Sequence, residues 1–309
     1  MMLLALAVAC ASFRNTEHIR DIRPRTYTPI VQPEIDPSKQ TLFDPEHGPS
    51  YRDVAQGSLG DCGLVAAMAS MAYANPSHLL SIFNDPHDSK GTVTVNLWAQ
   101  DQKYEYTVRK WTITDANPTS TDASIFVTGG QWYYVITCLN SLYQNQMLTI
   151  HRVWPNTLQL SMLQHATSHP ESNIPADLYG VQPRDAFHAM SGPCPATTYL
   201  EISNTIDDVL WVAWKQVKTR PSVSSTVSST SRNLDNGLPE NHAYSALDYN
   251  DTKGTVTLRN PWGIVSQDPF WGTSTSGGEG VTDLGDGIFE ITFTDWKTHF
   301  VDITLIDPC

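Results

Sequence analysis

The chain has 309 residues, of which 40% are hydrophobic and 17% are charged, a composition typical of a globular protein with a sizeable core. Its 32 Asp and Glu residues outnumber 19 Lys and Arg residues, which gives a formal net charge of −13. This charge and the lack of basic runs argue against nucleic acids and anionic membranes as partners.

The first 48 residues are predicted to form an N-terminal arm. Residues 1–11 are apolar and end in an Ala-x-Ala pattern, but they are too short to span a bilayer and lack the basic start of a secretory signal. No stable membrane insertion is expected, and cytoplasmic and secreted locations both stay open. Residues 12–48 mix prolines and charges without a period, which predicts an extended arm or a pro-like segment.

A glycine-rich turn followed by a helix is the strongest local signal in the sequence. Residues 56–62 (QGSLGDC) are followed by good helix formers, so Cys62 is predicted to lie in the first turn of a helix. The unpaired N–H groups and the dipole at such a helix start stabilise a thiolate, so we expect a lowered pKa and a nucleophilic Cys62.

The rest of the first half favours helices around one hairpin. A hairpin is predicted over residues 92–99 and 104–111, where apolar and polar residues alternate. Helices are predicted over residues 77–83, 131–144, 158–165, 184–190 and 206–215. We expect a helix-rich lobe over residues 49–195 that carries the nucleophile.

The second half favours strands. A Ser- and Thr-rich tract over residues 221–231 fits an edge strand or a mobile loop equally well. His242 would begin a strand, and Asn260 would end the next one after a turn at residues 250–254. Further strands follow at residues 287–293 and 301–306. The chain is therefore predicted to be an α+β protein, with a β-rich lobe over residues 196–309 and a site in the cleft between two lobes.

Four ordered segments resemble the catalytic blocks of the calpain family of papain-like cysteine peptidases. They are residues 56–62 (QGSLGDC), 242–245 (HAYS), 259–263 (RNPWG) and 286–296 (DGIFEITFTDW). The resemblance implies the papain-like fold and a cysteine endopeptidase that acts on proteins or peptides. It also implies that Cys62 is the nucleophile, His242 the acid and base, Asn260 its orienting partner and Gln56 an oxyanion donor.

The chain departs from the family pattern in two respects. Gly63 stands where calpains usually carry Trp, which removes an aromatic wall beside the nucleophile. Members of the family also bind calcium, which needs oxygen ligands. This chain has an acidic residue at two of the positions where such ligands are expected, Asp53 and Asp185. Ser266 and Ile288 replace carboxylates, so no cofactor is expected for the chemistry and calcium control is disfavoured.

Two other functions use the same residues. A thiol amidase or acyltransferase would also need a cysteine, a histidine and an amide. A catalytically impaired binding module is the third alternative, because Gly63 and the divergent middle of the chain are compatible with loss of activity. The sequence leaves the oligomeric state and the cleavage preference open.

Overall fold

The computed structural model describes residues 42–43, 46–54, 56, 60–84, 92–109, 154–192, 197–228, 234, 237–262 and 280–307. In these residues the chain is an α+β protein with two antiparallel sheets. The helices are α1 (Cys62–Ala74), α2 (Pro76–Ser81), α3 (Trp154–Ser168), α4 (Pro183–Ser191), α5 (Asp207–Trp214) and α6 (Phe293–His299). The strands are β1 (Phe83–Asn84), β2 (Thr92–Ala99), β3 (Gln102–Arg109), β4 (Thr197–Glu201), β5 (Ser222–Thr226), β6 (Ala243–Asn250), β7 (Thr255–Arg259), β8 (Val281–Gly285), β9 (Ile288–Thr292) and β10 (Phe300–Ile306).

Helix α1 lies at the centre of the fold. Its residues from Gly63 to Ala72 are all buried, because the helix is apolar on every side and must be covered all round. It packs against β5 and β6 on one side and against α4 on another. The residue at its N-terminus, Cys62, is thereby held at the junction of helices and sheet.

The smaller sheet has the strand order β1-β2-β3. The predicted hairpin is confirmed, with Ala99 opposite Gln102 and a tight turn at Gln100 and Asp101, both with positive φ. Strand β3 runs from Gln102 to Arg109, and the last two residues of the predicted strand, 110 and 111, lie outside the described residues. Helices α3 and α4 confirm the two short helices predicted in the middle of the chain, and α3 is longer than expected. The helix predicted over residues 131–144 lies outside the described residues.

The larger sheet has seven strands in the order β4-β10-β5-β6-β7-β9-β8. Strand β5 comes from the Ser- and Thr-rich tract and lies inside this sheet, so the prediction of an edge strand or a mobile loop was wrong. Its hydroxyl side chains are buried because they find partners in neighbouring strands: Ser224 Oγ donates to the Asp302 carbonyl at 2.5 Å.

The β6–β7 hairpin determines where two predicted site residues lie. Its turn is closed by Asn250, whose Oδ1 accepts from the backbone N–H groups of Thr252 and Lys253, and by Gly254 with φ +64°. Since His242 precedes β6 and Asn260 follows β7, the antiparallel pairing brings both to the same edge of the sheet.

The buried apolar residues form two clusters. One surrounds α1, the smaller sheet, α3 and α4, and includes Leu42 and Phe43 from the start of the described chain. The other covers most of the larger sheet together with α5 and α6. Within the described residues, none of the helices has the length and apolar character needed to cross a membrane.

Candidate active site

Cys62 is the first residue of α1, as predicted, and is half-buried. Burial raises the pKa of its thiol, and the charge of Asp61 acts in the same direction. Backbone hydrogen bonds from Ala243, Gly63 and Cys62 itself lower the pKa but do not outweigh the burial. The prediction of a lowered thiol pKa was therefore wrong in direction, because the helix start is buried against the larger sheet.

The imidazole of His242 is 6% exposed and has a defined hydrogen-bond partner. Its Nε2 lies 2.9 Å from Asn260 Oδ1, which also accepts the backbone N–H of Trp262 at 3.0 Å. A carbonyl oxygen can only accept, so Nε2 carries the proton and Nδ1 of the neutral ring is left as a base. Burial lowers the pKa of His242 to about 4, and the bond to Asn260 raises it by less.

Trp262 covers the bond between His242 and Asn260. Its ring centroid lies 4.4 Å from that of the imidazole, at an interplanar angle of 38°. Asn260 is itself fully buried, and its backbone N–H donates to the Gly287 carbonyl at 2.8 Å. Water is thus kept away from the carboxamide and does not compete for its hydrogen bond to His242. The imidazole is therefore held more firmly in one orientation.

Thr226 fixes the backbone on either side of the imidazole. Its Oγ1 accepts the His242 N–H at 3.0 Å, and its own N–H donates to the His242 carbonyl at 2.9 Å. Sequence analysis did not identify this residue, because it lies in a tract of similar Ser and Thr residues. Its contact with His242 becomes evident only from the pairing of β5 with β6.

Helix α1, which begins with Cys62, packs against β6, the strand that follows His242. The backbone amide of Ala243, the residue directly after the histidine, lies close enough to the Cys62 thiol to lower its pKa. One helical turn further along α1, the Ala66 carbonyl accepts the Ser245 hydroxyl at 2.8 Å. These contacts hold the N-terminus of the helix against the start of the strand.

Gln56, the fourth predicted site residue, lies beside the turn that follows β7. Its side chain is 3% exposed, and its backbone N–H donates to the Pro261 carbonyl at 2.8 Å. Two residues earlier, the Val54 carbonyl accepts from Nη2 of Arg259 at 2.6 Å. The segment before Cys62 is thereby bound to the end of β7 and to the turn that orients His242.

Asp61 and Gln159 also belong to this site, and sequence analysis missed both. Asp61 is fully buried, and its Oδ1 and Oδ2 accept from Gln56 Nε2 at 3.3 Å and from Gln159 Nε2 at 2.5 Å. Burial raises the pKa of Asp61 to about 7, although both amide bonds lower it. Gln159 comes from α3, far away in sequence, and no local pattern could have linked it to Cys62.

Residues 181 and 183 fill the space beside Gly63, the residue directly after Cys62. A Cβ added to Gly63 would lie 1.9 Å from the carbonyl oxygen of Val181 and 3.2 Å from Cδ of Pro183. The Gly180 N–H donates to the Gly60 carbonyl at 2.8 Å, so this segment is attached to the glycine turn. Glycine at position 63 is therefore required by close backbone approach.

Asp53 and Asp185, the two acidic positions named from the family pattern, are already engaged with donors in the described part of the chain. Oδ2 of Asp53 accepts N–H bonds from Ser50 and from Nε1 of Trp154, at 2.9 and 2.8 Å, so this oxygen is already committed to donors. Asp185 pairs with Arg184 at 3.5 Å. In the part of the chain that the structure describes, no three His, Cys, Asp or Glu side chains are grouped as metal ligands. Position 288 begins β9 as isoleucine, and Ser266 lies outside the described residues.

Known proteins resemble this chain over nearly its whole length. The model of the family described as "Calpain family cysteine protease" matches residues 13–307. Human Calpain-14 is 26% identical over 267 residues, covering 81% of this chain and 35% of that protein. Human and rat Calpain-9 are 24% and 23% identical, each covering 84% of this chain and 37% of theirs. The chain thus spans little more than a third of the length of these relatives, and over that span it belongs to the calpain family of cysteine proteases.

Proposed function

We propose that the chain is a cysteine endopeptidase in which Cys62, His242, Asn260 and Gln56 carry out the chemistry. The observation that carries this proposal is the bond between His242 Nε2 and Asn260 Oδ1 at 2.9 Å, in a residue pair that lies where β6 begins beside α1. This bond leaves a basic Nδ1 on a neutral imidazole, and we pair that nitrogen with the thiol of Cys62 at the N-terminus of the helix packed on β6. Such an arrangement suits acyl transfer through a thioester.

The first step transfers a proton while a bond forms. Because burial favours the neutral thiol and the neutral imidazole, His242 Nδ1 takes the thiol proton as the sulfur attacks the carbonyl carbon of the substrate. The imidazolium then gives this proton to the leaving amine, and the carbon–nitrogen bond breaks to leave a thioester on Cys62. Water, activated by the same imidazole, hydrolyses the thioester and restores the thiol.

The negative oxygen that forms during attack needs donors. The amide of Gln56 supplies one of them, and the backbone N–H of Cys62 supplies the other, because the first N–H groups of a helix have no partner within it. Asn260 keeps the imidazole oriented throughout and needs no charge for this role.

The proposal includes the papain-like division into a helix-rich lobe over residues 49–195 and a β-rich lobe over residues 196–309. It is supported by the two hydrophobic clusters and by the position of the site where α1 meets β6. Gln56 and Cys62 would come from the first lobe, and His242 and Asn260 from the second.

The experiment is a digest of a proteome-derived peptide mixture by the wild type and by Cys62→Ala, His242→Ala and His188→Ala. New peptide termini are counted by mass spectrometry. We expect cleavage by the wild type and by His188→Ala, since His188 is an exposed residue of α4. No cleavage is expected from the other two variants. Equal cleavage by Cys62→Ala and the wild type contradicts the proposal.

The same mass spectra separate the alternatives. Side-chain amide loss or acyl transfer to an added amine, without cleavage of the backbone, would identify an amidase or acyltransferase. A wild type that neither cleaves peptides nor reacts at Cys62 with a thiol-directed electrophile would identify an impaired binding module.

A further inference from the structure

Three buried polar side chains form a connected group directly behind the nucleophile. Asp61, Gln159 and Gln56 are 0%, 1% and 3% exposed. One oxygen of the carboxylate binds the amide nitrogen of Gln56, and the other binds the amide nitrogen of Gln159. We call these three residues the amide clamp.

Asp61 does not cap helix α1, although its position directly before the helix suggests that it would. An aspartate directly before a helix ordinarily caps it by accepting a backbone N–H of the first turn. Asp61 is the N-cap residue of α1, yet its side chain makes no capping hydrogen bond. Its two oxygens are instead directed to two glutamine amides, one of which belongs to the proposed oxyanion donor.

We propose that Asp61 is a positioning residue that holds the side-chain amide of Gln56 in place to stabilise the oxyanion, and that Gln159 braces Asp61 from α3. The inference rests on the proposed function, because it assigns these residues to the same site. Nε2 of Gln56 is bound by Asp61, which fixes the plane of the amide group that would donate to the substrate oxygen. Neither Asp61 nor Gln159 touches the substrate.

The physical need for such a clamp follows from the side chain of glutamine. A free glutamine side chain samples many rotamers, and an oxyanion donor is effective only if it is fixed before the reaction. The ionised form of Asp61, which predominates above its raised pKa of about 7, suits this place because it offers only acceptors and both of its neighbours present N–H groups. Gln159 restrains the carboxylate in turn, so that α3 contributes to the geometry of the site.

The arrangement of donors and acceptors in the amide clamp can be tested by substitution. Asp61→Asn keeps the shape but sets an N–H₂ group against one of the two glutamine N–H₂ groups. We expect kcat for a peptide substrate to fall about 10- to 100-fold with KM little changed, since the loss falls on the transition state. Gln159→Leu should cause a smaller loss of the same kind.

A double variant should restore what the single variant loses. When Asp61→Asn is combined with Gln159→Glu, the new amide at position 61 can accept from Gln56 and donate to the new carboxylate at position 159. Every donor then faces an acceptor again. We expect kcat to recover to within about 10-fold of the wild type. No recovery in this variant, if it is folded, overturns the inference.

A second measurement asks whether Asp61 acts through Gln56. On a Gln56→Ala background, Asp61→Asn should change kcat by less than about 3-fold, because the group that it positions is gone. If the losses in kcat from the two substitutions multiply instead, Asp61 acts independently of Gln56, and the inference fails.

Alkylation of Cys62 by iodoacetamide separates this inference from the proposed function. The alkylation forms no oxyanion, so it should be as fast in Asp61→Asn as in the wild type, or slightly faster, since the Asp61 charge raises the thiol pKa. Slower alkylation in this variant would show a damaged nucleophile and would overturn the positioning role. A wild type that alkylates Cys62 but hydrolyses no peptide would refute the proposed function instead.

Discussion

Replacing Gly63 by alanine should damage both stability and activity. The new Cβ would lie 1.9 Å from the carbonyl oxygen of Val181 and 3.1 Å from its carbonyl carbon, so backbone must move by more than an ordinary contact allows. Neither partner can give way easily. Gly63 is buried in α1, and the neighbouring Gly180 is bonded to Gly60 at 2.8 Å.

The size of the effect is the difference between two terms. Overpacking in a buried site costs about 1–3 kcal/mol. Alanine is better than glycine in a helix by about 1 kcal/mol, which offsets part of that cost. Because the contact is with backbone, we take the upper end of the first range, which leaves a net loss of about 2 kcal/mol in the free energy of unfolding. For 309 residues this corresponds to a fall in Tm of about 3 °C. Because Cys62 is the adjacent residue, a shift of about 1 Å should lower kcat/KM by about 100-fold.

The assay compares Gly63→Ala with Gly254→Ala by calorimetry and peptide hydrolysis. Gly254 lies in the β6–β7 turn at φ +64° with no atom within 4 Å of an added Cβ, so alanine there costs about 1–2 kcal/mol through backbone strain alone. This control should lose stability but keep its kcat/KM. An unchanged Tm and an unchanged kcat/KM in Gly63→Ala would refute the close approach of Val181.

Three further results are expected. Gln56→Ala should lower kcat about 100- to 1000-fold in a hydrolysis assay, the usual loss for one oxyanion donor, and a change below about 10-fold would exclude that role. Since the pKa of His242 is about 4 when folded and about 6.5 when unfolded, this side chain binds more protons in the unfolded state between these values, and its contribution to stability should be lost as pH drops from 6.5 to 4. Melting curves across this range should show that the wild type loses stability relative to His242→Gln as pH falls, and a constant difference between the two would contradict the shift. Chelator and added calcium should leave the rate of hydrolysis unchanged, because Oδ2 of Asp53 already accepts two N–H groups; strict dependence on calcium would refute this.

Local signals in the sequence predicted the parts of the site that depend on neighbouring residues. A glycine turn before a run of helix formers was enough to assign Cys62 to the start of α1. A turn between two alternating segments was enough to bring His242 and Asn260 to one edge, because a hairpin needs only local pairing.

Features that depend on distant residues could not be predicted in the same way. The raised pKa of Cys62 reflects burial by a sheet whose strands are far away in sequence. Gln159 is one polar residue in a helix, and only the packing of α3 shows that it meets Asp61. The interior position of β5 depends on β10, which comes some 75 residues later in the chain, and a tract of Ser and Thr carries no sign of that partner.

The turn after β7 serves two groups at once. Asn260 holds the imidazole, and the carbonyl of the next residue, Pro261, receives the backbone of Gln56. Under the proposed function, a displacement of this one dipeptide would disturb the base and the oxyanion donor at the same time. A molecule that binds under this turn and moves it should therefore abolish peptide hydrolysis without competing with the substrate.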